Sequence, residues 1–230
     1  VPAAIQWIRV AVVRAQPQVE LAIRGPFRIV ALHTAEVLRE GKRLAVTPVR
    51  AGGEGVLIGQ QLLPVFGFRV EPSRDATITL NGQRLRGTLE ILRQTDLTLL
   101  VINYVGLEDY LRGVLSKEAP DHWPLESLKA IAIAARTYAL FQRLSKASVD
   151  YDVTGDVLSQ MYGGMTAEKR RTSRAVQETR GLILTYRGQV FPTFYHSTCG
   201  GVTEHAGVMG PFELEPLQGG VACSFCVRSP

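Results

Sequence analysis

Residues 107–138 read LEDYLRGVLSKEAPDHWPLESLKAIAIAARTY, and this stretch decides how the rest of the chain is understood. Leu107, Leu111 and Val114 share one face, which predicts a helix over 107–114. The segment Ser116–Trp123 is then expected to be a loop carrying one glutamate, Glu118. Pro124 suits the first turn of a following helix, and Glu126 lies where that helix's dipole favours negative charge. Leu125, Leu128, Ala132, Ala135 and Ala139 recur at helical spacing, predicting one long Ala-rich helix over 125–144. The small residues Ala130 and Ala134 beside this stripe allow close packing against a sheet.

Upstream, residues 1–104 read as a succession of short strands: Ile5–Val13, Val19–Ile23, Phe27–Leu32, Leu44–Val49, Leu62–Val70, Ala76–Leu80, Arg84–Leu92 and Leu97–Tyr104. Gly25-Pro26 and Gly41-Lys42 read as breaks, and Asn81-Gly82 as a type I′ hairpin turn. This region carries no grouping of His, Cys and carboxylates. The character changes at Val105-Gly106, so the division is a β-rich region over 1–104 and a mixed core over 105–230.

Downstream of the long helix, DVLSQMYGG (156–164) is an extended, Gly-terminated loop. Thr166 is placed to cap a further helix reaching about Thr179, with Gly181 as its stop. Leu182–Tyr186 and Val190–His196 read as a hairpin around Gly188. Ser197–Pro230 is Gly-rich and irregular, a tail that needs a clip to be ordered. Strands followed by helices, without strict alternation, give an α+β fold.

The chain has 230 residues, is 46% hydrophobic and 20% charged, and carries a formal net charge of +5. Those values describe an ordinary globular protein of one large or two small domains. No apolar run reaches the roughly 18–20 residues of a membrane span. The opening VPAAIQWIRVAVV has no initiating Met and no signal-peptide pattern, so it reads as a trimmed chain, as does the closing CVRSP. The basic residues are scattered apart from Lys169-Arg170-Arg171 and Arg174, which read as a solvated helix face. No nucleic-acid module accompanies them. A mildly basic surface suits a polyanion such as a cell-wall polymer.

Two groups could carry chemistry. Glu118 stands beside Ala119, Pro120 and Trp123, where partial desolvation would favour the protonated form that a general acid needs. The plainer reading is a solvated loop carboxylate. Arg136 is out of place in an Ala-Ile-Ala-Ala stretch, so it should face a carboxylate or a substrate oxygen; a salt bridge to Glu108 or Asp109 is the plainer reading. The second group pairs His196 with Cys199 and Cys223 with Cys226, two pairs of soft ligands at spacings usual for a structural tetrahedral zinc site. His205 could replace one ligand. A Cys223–Cys226 disulfide and free thiols stay open. A zinc hydrolase is a weaker reading, because four protein ligands leave no position for water. A serine hydrolase at Ser197 lacks the nucleophile elbow, and no phosphate-binding Gly motif occurs.

LEDYLRGVLSKEAPDHWPLESLKAIAIAARTYAL resembles the core of the stage II sporulation protein D (SpoIID/LytB) family. The leading IRVAVV, the segment RGTLEI to LTLLVINYVGLEDYL, then DVLSQMYGG and AVQETRGLILTYRGQVFPTFYHSTCGGVTEHA agree in order, most strongly from about 99 to 206. The resemblance implies a domain acting on peptidoglycan outside the cytoplasmic membrane. It implies lytic transglycosylase activity, cleaving the β-1,4 bond between N-acetylmuramic acid and N-acetylglucosamine in glycan stripped of stem peptides, and leaving 1,6-anhydro ends. Glu118 of LSKEAP would be the catalytic acid and base, with Arg136 of AARTY contacting substrate or reaching Glu118 only indirectly. Ordinary glycosidases need two carboxylates; here the substrate's own C6 hydroxyl would be the nucleophile, so one suffices. Trp123, Tyr162, Tyr195, Ser197 and Thr198 would line the glycan groove. The resemblance also implies a zinc site in the C-terminal part, which favours the metal reading of His196, Cys199, Cys223 and Cys226 drawn from their spacing. The family includes amidase enhancers, so the alternative is a non-catalytic module that binds glycan and activates a cell-wall amidase.

Overall fold

The computed structural model describes residues 7–145, 150–196 and 198–228. Its β part comprises β1 (Trp7–Gln16), β2 (Gln18–Ala31), β3 (Val37–Gly52), β4 (Gly55–Ile58), β5 (Gln61–Leu63), β6 (Gly67–Pro72), β7 (Thr77–Leu80), β8 (Gln83–Leu85), β9 (Thr88–Arg93) and β10 (Leu99–Gly106). Then come α1 (Leu107–Glu118), α2 (Leu125–Ser145), β11 (Val153–Thr154), α3 (Gly164–Ala167) and α4 (Arg170–Glu178). A small hairpin of β12 (Thr185–Tyr186) and β13 (Gln189–Val190) precedes a tail of short 3-10 turns. The architecture is α+β.

The main sheet runs β11-β1-β10-β9-β6-β2-β3-β4-β5, with β7 and β8 branching from β2. Its pairings are antiparallel except for β1 with β11, which runs parallel through Val10↔Val153 and Ala11↔Thr154. The core is continuous across the β-rich and helical parts. Ile8, Val10, Leu89, Ile91, Val101 and Val105 from the sheet share one buried cluster with Leu111, Val114, Leu128, Ala132, Ala135 and Val176 from the helices.

Two expected strands, 19–23 and 27–32, are one strand in the fold. Gly25-Pro26 bends β2 rather than ending it, and the first half pairs with β7 while the second pairs with β6. Gly25 sits at φ +106, and a Cβ there would meet Ala76 Cα at 2.8 Å, so both conformation and space require glycine. Conversely, the expected strands 62–70 and 84–92 each divide in two, at Pro64–Phe66 and at Gly87. The Asn81-Gly82 turn has both residues at positive φ, 48° and 80°, joining β7 to β8 as a type I′ turn requires.

The first helix is longer than expected. α1 runs on through Leu115, Ser116 and Lys117, and Glu118 is its last residue rather than a loop residue. Leu115 is fully buried, which extends the apolar face by one more turn. The Ala-rich stripe of α2 is buried as the spacing predicts, at Leu128, Ala132, Ala135 and Ala139. Thr166 does not cap a helix: it lies inside α3, and its Oγ1 accepts the Arg84 N–H at 2.9 Å. The basic run is more engaged than a solvated face. Arg171 donates to the Asp121 and Trp123 carbonyls, each at 2.8 Å, tying α4 to the α1–α2 turn.

Candidate active site

Glu118 closes α1 at its C-terminal end, where the helix dipole disfavours negative charge. The carboxylate is half-buried and points across to the 156–164 loop, where Oε1 accepts the Met161 N–H at 2.7 Å. Among the described residues no cation lies within ion-pair distance of it. A carboxylate held against local preference, with one oxygen fixed, is the kind of conflict that marks function.

A cleft of about 330 Å³ opens at this carboxylate. Tyr138, Gln160, Met161, Phe194 and Tyr195 line it, with Val157, Leu158 and Met209 at its rim. Phe194, Tyr195 and Met209 also border an adjoining hollow of about 640 Å³ in the tail, reached by His196, Thr198, Glu204 and His205. The two volumes fall within the range of ligand sites. Aromatic rings with hydroxyls and an amide at their edges suit a sugar, which offers apolar ring faces and many polar atoms.

Behind the cleft lies a buried polar network. Gln160, 1% exposed, accepts from the Tyr110 hydroxyl at 3.0 Å. Its amide nitrogen reaches the Ala135 carbonyl at 3.2 Å and the Tyr195 oxygen at 3.0 Å. Burial first, and then nearby groups including the Glu118 carboxylate, raise the Tyr110 and Tyr195 phenols well above the ordinary value. Both stay protonated at working pH. Below them Tyr162 stacks on Tyr110, with ring centroids 5.1 Å apart, and donates to Asn103 Oδ1 at 3.0 Å.

Arg136 is 1% exposed and does not line the cleft. Its guanidinium pairs with Glu108 through Nε–Oε1 at 2.9 Å and Nη2–Oε2 at 2.8 Å, and donates to the Leu182 and Val176 carbonyls at 3.0 and 3.2 Å. It therefore ties together α1, α2, α4 and the segment after α4. This is the salt bridge that the sequence offered as the plainer reading.

Of the residues expected to line a groove, Tyr195 does so beside Glu118 and Thr198 borders the adjoining hollow. Tyr162 is buried in the network instead, because its ring fills the space left by Gly113 of α1. Trp123 packs partly buried against the core, away from the cleft. Ser197 lies outside the described residues. Residues that the sequence did not single out, Tyr138, Gln160 and Phe194, form much of the cleft wall. Their signal was position: each lies in a segment that returns to the end of α1, which no local pattern reveals.

The cysteines meet. The Sγ atoms of Cys199, Cys223 and Cys226 lie within 4.8 Å of one another, near the roughly 3.8 Å expected between thiolates on a tetrahedral ion with ~2.3 Å bonds. They can hold a metal ion. The Cys199 N–H and side chain, with Thr198 and Cys223, lower the Cys226 thiol to about 7, so this ligand is readily deprotonated. His196 and His205 stand outside the cluster: His196 is exposed, and His205 Nδ1 accepts the Gly207 N–H at 2.8 Å, capping a 3-10 turn. Three thiols rather than two His/Cys and Cys/Cys pairs are thus brought together, which would leave one position of a tetrahedron for another donor. Of the His196/Cys199 pair only Cys199 meets the C-terminal pair, and the chain turns just after it at Gly200-Gly201, both at positive φ.

The chain is similar to known sporulation and cell-wall proteins. The family model SpoIID, stage II sporulation protein, matches residues 95–186, which span β10, α1, α2 and α4. An uncharacterised protein of Brachyspira hyodysenteriae is 39% identical over 64% of this chain and 40% of its own length. The amidase enhancer of Bacillus subtilis is 34% identical over 60% of the chain and 19% of its own length. Stage II sporulation protein D of Bacillus subtilis is 29% identical over 46% of the chain and 35% of its own length. The matched region thus spans well under half of these three relatives. The segment that places Glu118 and the 156–164 loop is the matched one, and over it this chain is similar to the SpoIID family.

Proposed function

We propose that the protein is a peptidoglycan lytic transglycosylase acting on glycan strands outside the cytoplasmic membrane. The observation that carries the reading is Glu118: a half-buried carboxylate in an aromatic cleft, with one oxygen held by the Met161 N–H. Protonated Glu118 gives its proton to the glycosidic oxygen as the bond to C1 of N-acetylmuramic acid breaks. The resulting carboxylate then takes the proton of the same sugar's C6 hydroxyl as that oxygen bonds to C1, closing the 1,6-anhydro ring and restoring the acid. Met161 keeps the carboxylate in one orientation through both transfers. Tyr195, Phe194 and Tyr138 hold the sugar rings. Arg136 acts at a distance, by fixing α1 against α2.

Zinc is the ion that a three-thiol set with one further donor suits best. It would fasten the tail that walls the adjoining hollow, with no part in the proton transfers.

Incubation with peptide-free glycan strands tests this reading. The product should be a disaccharide one water lighter than the hydrolytic one, and Glu118→Gln should lose it by 10²-fold or more, the ordinary range for general acid–base groups. Undiminished release by Glu118→Gln would sink the assignment. The similarity to an amidase enhancer favours a second reading, in which the cleft binds glycan and the protein activates a cell-wall amidase. That protein would bind glycan, release no anhydro sugar and be indifferent to Glu118→Gln.

A further inference from the structure

We infer that Tyr110, Gln160 and Tyr195 form a one-way hydrogen-bond relay, whose end at the cleft, the Tyr195 hydroxyl, donates to an acceptor oxygen of the bound glycan beside Glu118. The inference rests on the glycan reading above and names the residues that orient the sugar there.

The direction follows from one fixed point. The Ala135 carbonyl can only accept, so the side-chain amide of Gln160 must turn its nitrogen toward it, at 3.2 Å. The same nitrogen faces the Tyr195 oxygen at 3.0 Å, which occupies both of its hydrogens. Oε1 then faces Tyr110, whose hydroxyl donates to it at 3.0 Å. Gln160 is 1% exposed, so the amide cannot turn over without stranding buried groups. Tyr195 consequently receives a hydrogen bond from Gln160 and cannot return one. Among the described residues no acceptor takes its proton, and the ring lines both the Glu118 cleft and the adjoining hollow.

Burial and the neighbouring Glu118 carboxylate keep the phenol protonated, so the donor persists across the working pH range. An N-acetylated sugar offers the matching acceptors: a carbonyl, ring oxygens and hydroxyls. A donor fixed in this way selects an orientation of the sugar rather than merely its presence. Tyr195 touches substrate in this account, and Gln160 and Tyr110 are positioning residues.

Binding of peptide-free glycan strands is measured for the wild type, Tyr195→Phe, Gln160→Met and Gln160→Glu. Tyr195→Phe keeps the ring and should bind roughly tenfold more weakly, the loss of one hydrogen bond. Gln160→Glu places a carboxylate against Tyr195 that accepts its proton and withdraws it from the cleft. That variant should match Tyr195→Phe at neutral pH and regain binding as acid protonates the new carboxyl, a pH profile that a merely structural role would not produce. Combining it with Tyr195→Phe should add nothing further. If the wild type binds no glycan, the underlying reading fails. If the wild type binds and Tyr195→Phe binds equally well, the relay alone is overturned. It is overturned too if Tyr195→Phe keeps its affinity and only shifts the pH dependence of cleavage, since the proton would then serve Glu118. Should the Gln160 variants fail to fold, Tyr195→Phe still decides.

Discussion

Arg136 and Glu108 meet as a fork, two parallel hydrogen bonds that join the middle of α2 to the first turn of α1. The arginine is all but inaccessible, while the glutamate keeps a partly open face. Replacing Arg136 by methionine would strand Glu108 and uncover the Leu182 and Val176 carbonyls. We expect a loss of about 3–5 kcal/mol, the usual cost of breaking a buried pair from one side. Arg136→Lys should recover little of it, because an ammonium cannot fill the fork. Urea denaturation reads both, and equal stability of wild type and Arg136→Met would contradict the clamp.

Gly113 of α1 is where the helix meets the loop that steadies Glu118. A Cβ there would lie 2.8 Å from the Tyr162 ring and 3.0 Å from the Gly164 backbone, and the Gly113 carbonyl accepts the Gly163 N–H at 3.1 Å. Gly113→Ala should therefore cost about 1–3 kcal/mol through overpacking. It should also displace Met161, so the glycan cleavage proposed above should fall at temperatures where the variant is still folded. A drop in melting temperature with full activity would separate the two effects and refute the coupling.

Alkali should act on the buried phenols. Burial raises Tyr110, Tyr162 and Tyr195, each with further help from nearby carboxylates or phenols. A raised folded-state value means that the folded protein holds protons the unfolded chain would release. The stability these groups contribute is complete below the unfolded value near ~10 and is lost as pH climbs past it. Ultraviolet titration should show the exposed tyrosines ionising first and these three only as the fold gives way. Ionisation of all tyrosines in one early step, with the fold retained, would be the opposing result.

Zinc added to thiol-reduced protein should raise the melting temperature, since an ion that binds only the folded state stabilises it. Substituting serine at Cys199, Cys223 or Cys226 should each abolish the rise, whereas His196→Ala should keep it. A rise that depends on His196 would restore the two-plus-two ligand set.

Much of the fold was legible because it is periodic. The α2 stripe, the Asn81-Gly82 turn and most strands announce themselves through spacing that neighbours in sequence share. Glu118 was visible as a candidate but misplaced, since a helix that ends in Ser-Lys-Glu carries no apolar signal in its last residues. Gly25-Pro26 looked like an ending, yet β2 bends there because β6 and β7 wait on either side, which only the tertiary fold supplies. Gln160 carried no local mark, as its role depends on Ala135, Tyr110 and Tyr195, residues 25 to 50 positions away. The cysteines suggested a metal, but which ligands converge depends on how the tail folds back on itself, which spacing does not show.

The parallel pairing of β1 with β11 bears on how the chain assembles. β1 leaves the ribosome before either of its sheet neighbours, the antiparallel one beginning at Leu99 and the parallel one at Val153. Until those arrive, β1 presents an open apolar edge, and closing loops of such length is slow. The cleft is completed later still, when residues 193–195 and Met209 arrive to meet Glu118. Synthesis thus finishes the scaffold before the candidate cleft, and a chain released early carries the Glu118 carboxylate without the groove around it.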